Sequence, residues 1–142
     1  MTEPGYRRPL PVVRDDSRPF WDALRERRLI IQTCERCGRN QFYPRSVCRY
    51  CGGSALRWIE STGRGRIYTF SVVYRPPTPE YAADVPYALG LVDLDEGVRM
   101  LTNVLDDDPD SLAIGDRVEV VFDEVTPDVT LAKFRRLRAA TR

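Results

Sequence analysis

Apolar positions change their spacing twice along this chain. The first sixteen residues carry Pro4, Pro9 and Pro11 among charged side chains and read as an extended arm. Ser17-Arg18-Pro19 then looks like a helix start, with Asp16 or Ser17 as cap and proline tolerated in the first turn. Phe20, Trp21, Leu24 and Leu29 give an apolar stripe, with Asp22, Arg25, Glu26 and Arg27 opposite. Phe20 and Trp21 either pack on the chain's own core or anchor a partner, because aromatic residues are favoured at interfaces. Residues 29–32 and 56–60 are short strands. Beyond Ser61-Thr62-Gly63 the apolar period becomes two. Residues 66–74 alternate, with Tyr68, Phe70, Val72 and Tyr74 on one face that reads as core.

Four further strands are expected at residues 87–94, 98–104, 117–123 and 129–136. Arg75-Pro76-Pro77-Thr78-Pro79 ends the first of the series, Asp95-Glu96-Gly97 is a turn, and Asp106 to Asp110 is another. A short helical piece at Ser111-Leu112-Ala113 follows. Five short strands with glycine at their entries match a small closed barrel. An OB-fold is the five-stranded Greek-key version, and another small barrel or sandwich would fit the same periodicity.

Between the first two short strands lie Cys34-Glu35-Arg36-Cys37-Gly38 and Cys48-Arg49-Tyr50-Cys51-Gly52. Two residues between cysteines let both sulfurs of a tight turn point at one ion, and four thiolates satisfy a tetrahedral Zn²⁺. The following glycine permits the positive φ that turns backbone N–H groups towards the sulfurs. Cys34, Cys37, Cys48 and Cys51 are therefore the expected metal ligands. Disulfides would need an oxidising compartment, which nothing in the chain indicates. A redox CxxC would need a helix N-terminus after a strand. Iron in a rubredoxin-like site fits the same sulfur set as zinc. With all four ligands from protein the site is closed, so zinc here would be structural. The ribbon has few large apolar residues of its own, so the metal is expected to contribute much of its folding energy.

Composition narrows the function. The chain has 142 residues, mean hydropathy -0.41 and no histidine. Missing histidine removes the Ser-His-Asp triad, the Cys-His pair and His-ligated metals. Asp93, Asp95 and Glu96 could be read as paired carboxylates, but a charged turn is the plainer reading, and a free-standing enzyme is disfavoured. No apolar run approaches the ~20 residues of a membrane span, and no signal-peptide stretch opens the chain. A soluble, cytoplasmic protein with no membrane partner is expected. The formal charge is +1, but residues 1–66 carry 14 arginines against 7 acids, while residues 67–142 carry 8 basic against 14 acidic groups. Four thiolates and one Zn²⁺ together add -2, bringing the total to -1. The basic half could meet an anionic ligand or an acidic surface, whereas the acidic half opposes a polyanion.

The order of these parts resembles a known family. Arg28-Leu29-Ile30-Ile31-Gln32-Thr33-Cys34 follows a Phe-Trp helix. Then come Tyr43-Pro44-Arg45, the second knuckle, Trp58, Gly63-x-Gly65-x-Ile67-Tyr68-Thr69-Phe70 and Ile114-Gly115-x-x-Val118. Over residues 17–138 the chain resembles the zinc-ribbon OB-fold family, a domain of unknown function linked to acyl-CoA metabolism. The resemblance implies a mainly β protein with an N-terminal arm and helix (residues 1–28), a rubredoxin-like zinc ribbon (29–60), a five-stranded OB-fold barrel (61–138) and a tail (139–142). It also implies a non-catalytic accessory subunit of a thiolase-like acyltransferase or retro-aldolase, steroid side-chain degradation being one setting. Two copies of each subunit would form a heterotetramer. The resemblance transfers no catalytic residue. Arg49 departs from it, because many members have proline there; the departure is expected to loosen that turn.

Arginine offers CoA phosphates a planar, bidentate donor. Arg64, Arg66 and Arg75 flank the first barrel strand, and Lys133, Arg135 and Arg136 lie on the last. These six are the candidate CoA contacts, each weighed against a plain solvated surface role. Two rival functions remain. A single-stranded nucleic-acid module would stack bases on Tyr68, Phe70 and Tyr74. A rubredoxin-like electron carrier would hold iron.

Overall fold

The computed structural model describes residue 6 and residues 8–137; the tail expected at 139–142 and the first five residues of the arm lie outside them. Among these residues one α-helix, α1 (Arg18–Arg25), precedes eight strands. Pro19 sits in its first turn, as expected, while the Ser17 hydroxyl turns back to the Arg14 carbonyl at 3.2 Å instead of capping the helix. The ribbon strands are β1 (Ile30–Cys34), β2 (Asn40–Gln41) and β3 (Leu56–Glu60), antiparallel in the order β2-β1-β3. β2 was not expected from the sequence, because two residues carry no period.

The remaining strands are β4 (Arg64–Val73), β5 (Tyr87–Leu94), β6 (Arg99–Leu105), β7 (Arg117–Thr126) and β8 (Val129–Arg136). They close a barrel in the order β4-β5-β6-β8-β7, with β6 and β8 parallel and every other pair antiparallel. That is the Greek-key order of an OB-fold. Short 3-10 turns occupy Pro79–Tyr81 and Pro109–Ser111, the latter two residues before the helical piece expected at Ser111.

The expected face of β4 needs correction. Ile67 pairs with Val92 and Thr69 with Leu91, so Tyr68 is the extra residue of a β-bulge. A bulge inverts the parity of everything beyond it. Gly65 and Ile67 point inward before it and Phe70 and Val72 after it, while Tyr68 at the bulge is 48% exposed and Tyr74, one residue past the strand's end, 57%. Tyr68 lies under the Arg99 guanidinium, 3.4 Å from its ring centroid, and the Tyr74 hydroxyl donates to Asp110.

Helix, ribbon and barrel share one core. Phe20 and Leu24 of α1, Leu29, Ile31 and Phe42 of the ribbon, and Ile67, Val92, Leu94, Met100, Val118 and Phe134 of the barrel form a single buried cluster. All five residues of β1 are buried. The ribbon base therefore has an apolar anchor that its own composition did not suggest. Phe20 belongs to this core at 5% exposure, with Trp21 half-buried against it at a ring distance of 5.2 Å.

Candidate metal centre and OB face

β1 delivers Cys34 to the ribbon tip, and the two knuckles repeat one turn. The Gly38 N–H donates to the Cys34 carbonyl at 2.8 Å, and the Gly52 N–H donates to the Cys48 carbonyl at 2.9 Å. Gly38 and Gly52 have φ of 78° and 75°, and a Cβ at either would meet no neighbour within 4 Å. Glycine is needed there for its backbone conformation, not for space. The Cys37 N–H points at the Cys34 sulfur at 3.5 Å and the Tyr50 N–H at the Cys48 sulfur at 3.4 Å.

All four sulfurs lie within 4.8 Å of one another, with Cys34–Cys51 at 3.7 Å and Cys37–Cys48 at 3.6 Å. A tetrahedron with Zn–S bonds of about 2.3 Å has sulfurs about 3.8 Å apart, so the cradle fits Zn²⁺. Disulfides would need about 2.05 Å. Backbone N–H groups of Cys51 and, after the opposing effect of burial, Tyr50 hold the Cys48 thiol down to about 6. The Cys37 N–H likewise lowers Cys34. At Cys37 the Arg39 N–H favours the thiolate, but burial and the three facing sulfurs outweigh it and push that thiol up to about 11. Buried Cys34 and Cys48 are thus readier anions than Cys37, and exposed Cys37 and Cys51 form the outer rim.

A buried pair of amides missed by sequence reasoning fixes the second knuckle. Gln41 donates from Nε2 to Gln32 Oε1 at 2.7 Å and accepts from the Arg49 N–H at 2.9 Å. Gln32 accepts from the Arg45 N–H at 2.8 Å and donates to the Arg45 carbonyl at 2.7 Å. Both are buried, at 1% and 5% exposure. The turn expected to loosen at Arg49 is instead tied down by an N–H that proline would lack. Buried glutamines have no periodic signature, so only the three-dimensional contacts reveal them.

The six candidate CoA contacts do not all meet at one place, although two share a carboxylate. Arg64 stands opposite Glu119 in the β4–β7 register, and Arg135 holds the same carboxylate at 2.6 Å. Lys133 pairs with Asp123 at 2.6 Å. Arg136 is largely buried: it bonds Asp106 at 3.1 Å and donates to the Ser111 carbonyl at 2.7 Å, fastening the Pro109–Ser111 turn to β8. Arg66 donates to the Gly115 carbonyl at 3.4 Å. Arg75 is exposed beyond the other end of β4 from Arg64.

The outer face of β5, β6 and β8 is unexpectedly apolar. Leu89, Leu101 and Leu105 are 40%, 53% and 41% exposed. Between this face, α1 and the ribbon loop runs an open groove of about 640 Å³, lined by Trp21, Phe42, Tyr43, Leu89, Leu101 and Lys133 among others. Both parities of β5 and β6 are rich in apolar residues, and that was the available signal. No helix among the described residues is long and apolar enough to cross a membrane.

Comparison with known proteins agrees with this architecture. Residues 21–57 match the ChsH2 rubredoxin-like zinc ribbon domain and residues 58–123 the ChsH2 C-terminal OB-fold domain. A probable enoyl-CoA hydratase alpha subunit of Thermomonospora curvata is 35% identical over 133 residues, 94% of this chain; the chain spans only 41% of that relative's length. A DUF35 domain-containing scaffold protein of Methanothermobacter thermautotrophicus is 42% identical over 94 residues, covering 65% of this chain and 69% of the relative. Among solved structures, the "Ltp2-ChsH2(DUF35) aldolase" contains a chain that matches with a TM-score of 0.80 and 35% identity, covering 89% of this chain and 98% of that one. The chain therefore belongs to the DUF35 family, the ChsH2-type union of a zinc ribbon with an OB-fold.

Proposed function

We propose that the chain is a non-catalytic accessory subunit of a thiolase-like acyl-CoA enzyme, either an acyltransferase or a retro-aldolase, which it stabilises and whose acyl-CoA channel it completes. The observation that carries this reading is the likeness, over nearly its full length, to the DUF35 chain of an aldolase complex. The chemistry of the chain agrees: it has no histidine, and its four cysteines converge on one site suited to structural Zn²⁺. A thiolase reaction needs a free cysteine nucleophile and a base, so the partner must supply both. Steroid side chains are one substrate class for such a complex, assembled as two plus two subunits in the cytoplasm. Among the basic residues, either Arg64 with Arg66 at one end of β4 or Arg75 at the other is the better CoA phosphate contact. Lys133, Arg135 and Arg136 already spend donors on carboxylates of the same chain.

Co-purification of the tagged chain from its native host, followed by mass spectrometry, tests the reading. A thiolase-like polypeptide in stoichiometric amount is expected, with CoA-thioester turnover in the complex and none by the chain alone. Turnover by the isolated chain, or recovery of nucleic acid in place of an enzyme, would overturn it.

A further inference from the structure

OB-folds in general bind ligands on the outer face of their second and third strands and on the loop joining the first two. In this barrel those are β5, β6 and the residues between β4 and β5. The N-terminal arm already sits there. Arg8 forms an ion pair with Asp84 of that loop, and its guanidinium lies 5.0 Å from the Tyr6 ring centroid and 5.7 Å from that of Tyr81. Tyr6, Arg8, Pro9 and Pro11 line one concavity on the face, and Val12 lines the groove beside α1. Asn103, Leu131 and Lys133 line both, so the arm crosses the surface that joins the two concavities.

The attachment is confined to side chains. Among the described residues, the backbone of residues 8–13 makes no hydrogen bond to the barrel. A segment held by one partly exposed ion pair, one cation–π contact to the loop and the packing of Pro9, Pro11 and Val12 is a replaceable occupant, not a sixth strand.

We propose that the outer face of β5, β6 and β8 is a binding site for an extended peptide in which an arginine precedes proline and aliphatic residues, and that residues 8–13 fill it in cis. Asp84 and the Tyr81 ring receive the arginine; Asn103, Leu105 and Leu131 floor the rest. The proposal is independent of which enzyme the chain accompanies.

The test uses the full-length chain and a fluorescently labelled peptide with the sequence of residues 6–13. Arg8→Ala in the chain unpins its own arm without touching the core, and zinc content and circular dichroism should match those of the unaltered protein. The peptide should then bind the variant saturably and roughly tenfold more tightly than the unaltered chain, the scale of losing one exposed ion pair and a cation–π contact. Adding Asp84→Asn should weaken that binding several-fold. Trypsin should also cut the Arg14–Asp15 bond of Arg8→Ala faster by a similar factor. Equal peptide binding to both chains, no binding to Arg8→Ala, or an unchanged cleavage rate would each overturn the proposal.

Discussion

A glutamine amide brings two N–H donors and a carbonyl acceptor, and burying it is costly unless they find partners. Gln41 meets that demand by bonding Gln32 and the backbone N–H of Arg49, inside the second knuckle. It thereby orients the turn that presents Cys48, and such outer contacts typically change metal affinity by about 10–100-fold when removed. Gln41→Leu should accordingly speed zinc loss to a colorimetric chelator by a factor in that range. The visible spectrum of the cobalt-substituted protein should depart from that of the unaltered site. An unchanged release rate would show that the cysteines hold the turn unaided. The four cysteines themselves were legible because ligand spacing is local. The amides were not, since a polar residue enters a core only through contacts distant in sequence.

At the level of the strand, β4 shows both what periodicity captures and where it stops. Its existence and its pairing into a barrel follow from alternation, but the bulge at Tyr68 reverses which residues face inward. An alternating run of Tyr68, Phe70, Val72 and Tyr74 gives no sign of this, because an extra residue leaves the sequence pattern intact. The Gly63-x-Gly65 entry, by contrast, has two different physical causes. Gly63 has φ 76°, while a Cβ on Gly65 would collide with the backbone carbonyl of Asp93 on β5. Backbone cannot rotate aside as a side chain can. Gly65→Ala should therefore cost roughly 2–3 kcal/mol, the scale of overpacking in a closed core. Urea denaturation would register it as a lowered midpoint with an unchanged slope; an unaltered midpoint would mean that β4 and β5 can separate locally.

For the whole molecule, the shared core changes what the metal is expected to do. A ribbon judged by its own composition looks dependent on zinc throughout. With Ile31, Leu29 and Phe42 packed among barrel residues, only the tip carrying the knuckles lacks an apolar anchor. Removing zinc with a chelator should increase amide exchange from Cys34 to Gly53 while leaving β5 and β6 protected. Loss of protection across the barrel would show instead that the metal supports the entire fold. The order of parts was readable from motif spacing; the fusion of ribbon and barrel was not, because packing between segments leaves no local trace.

The arm that crosses the OB face adds a quantitative consequence. A segment tethered to the same chain stays at its site at an effective concentration on the order of millimolar, however far the protein is diluted. A rival segment on another polypeptide must exceed that concentration in its own terms, or be tethered in turn by a docked complex. Its apparent affinity falls by the fraction of molecules whose face is open. Measured on the isolated chain, the face will bind free peptides more weakly than it would the same segment held close by a docked polypeptide.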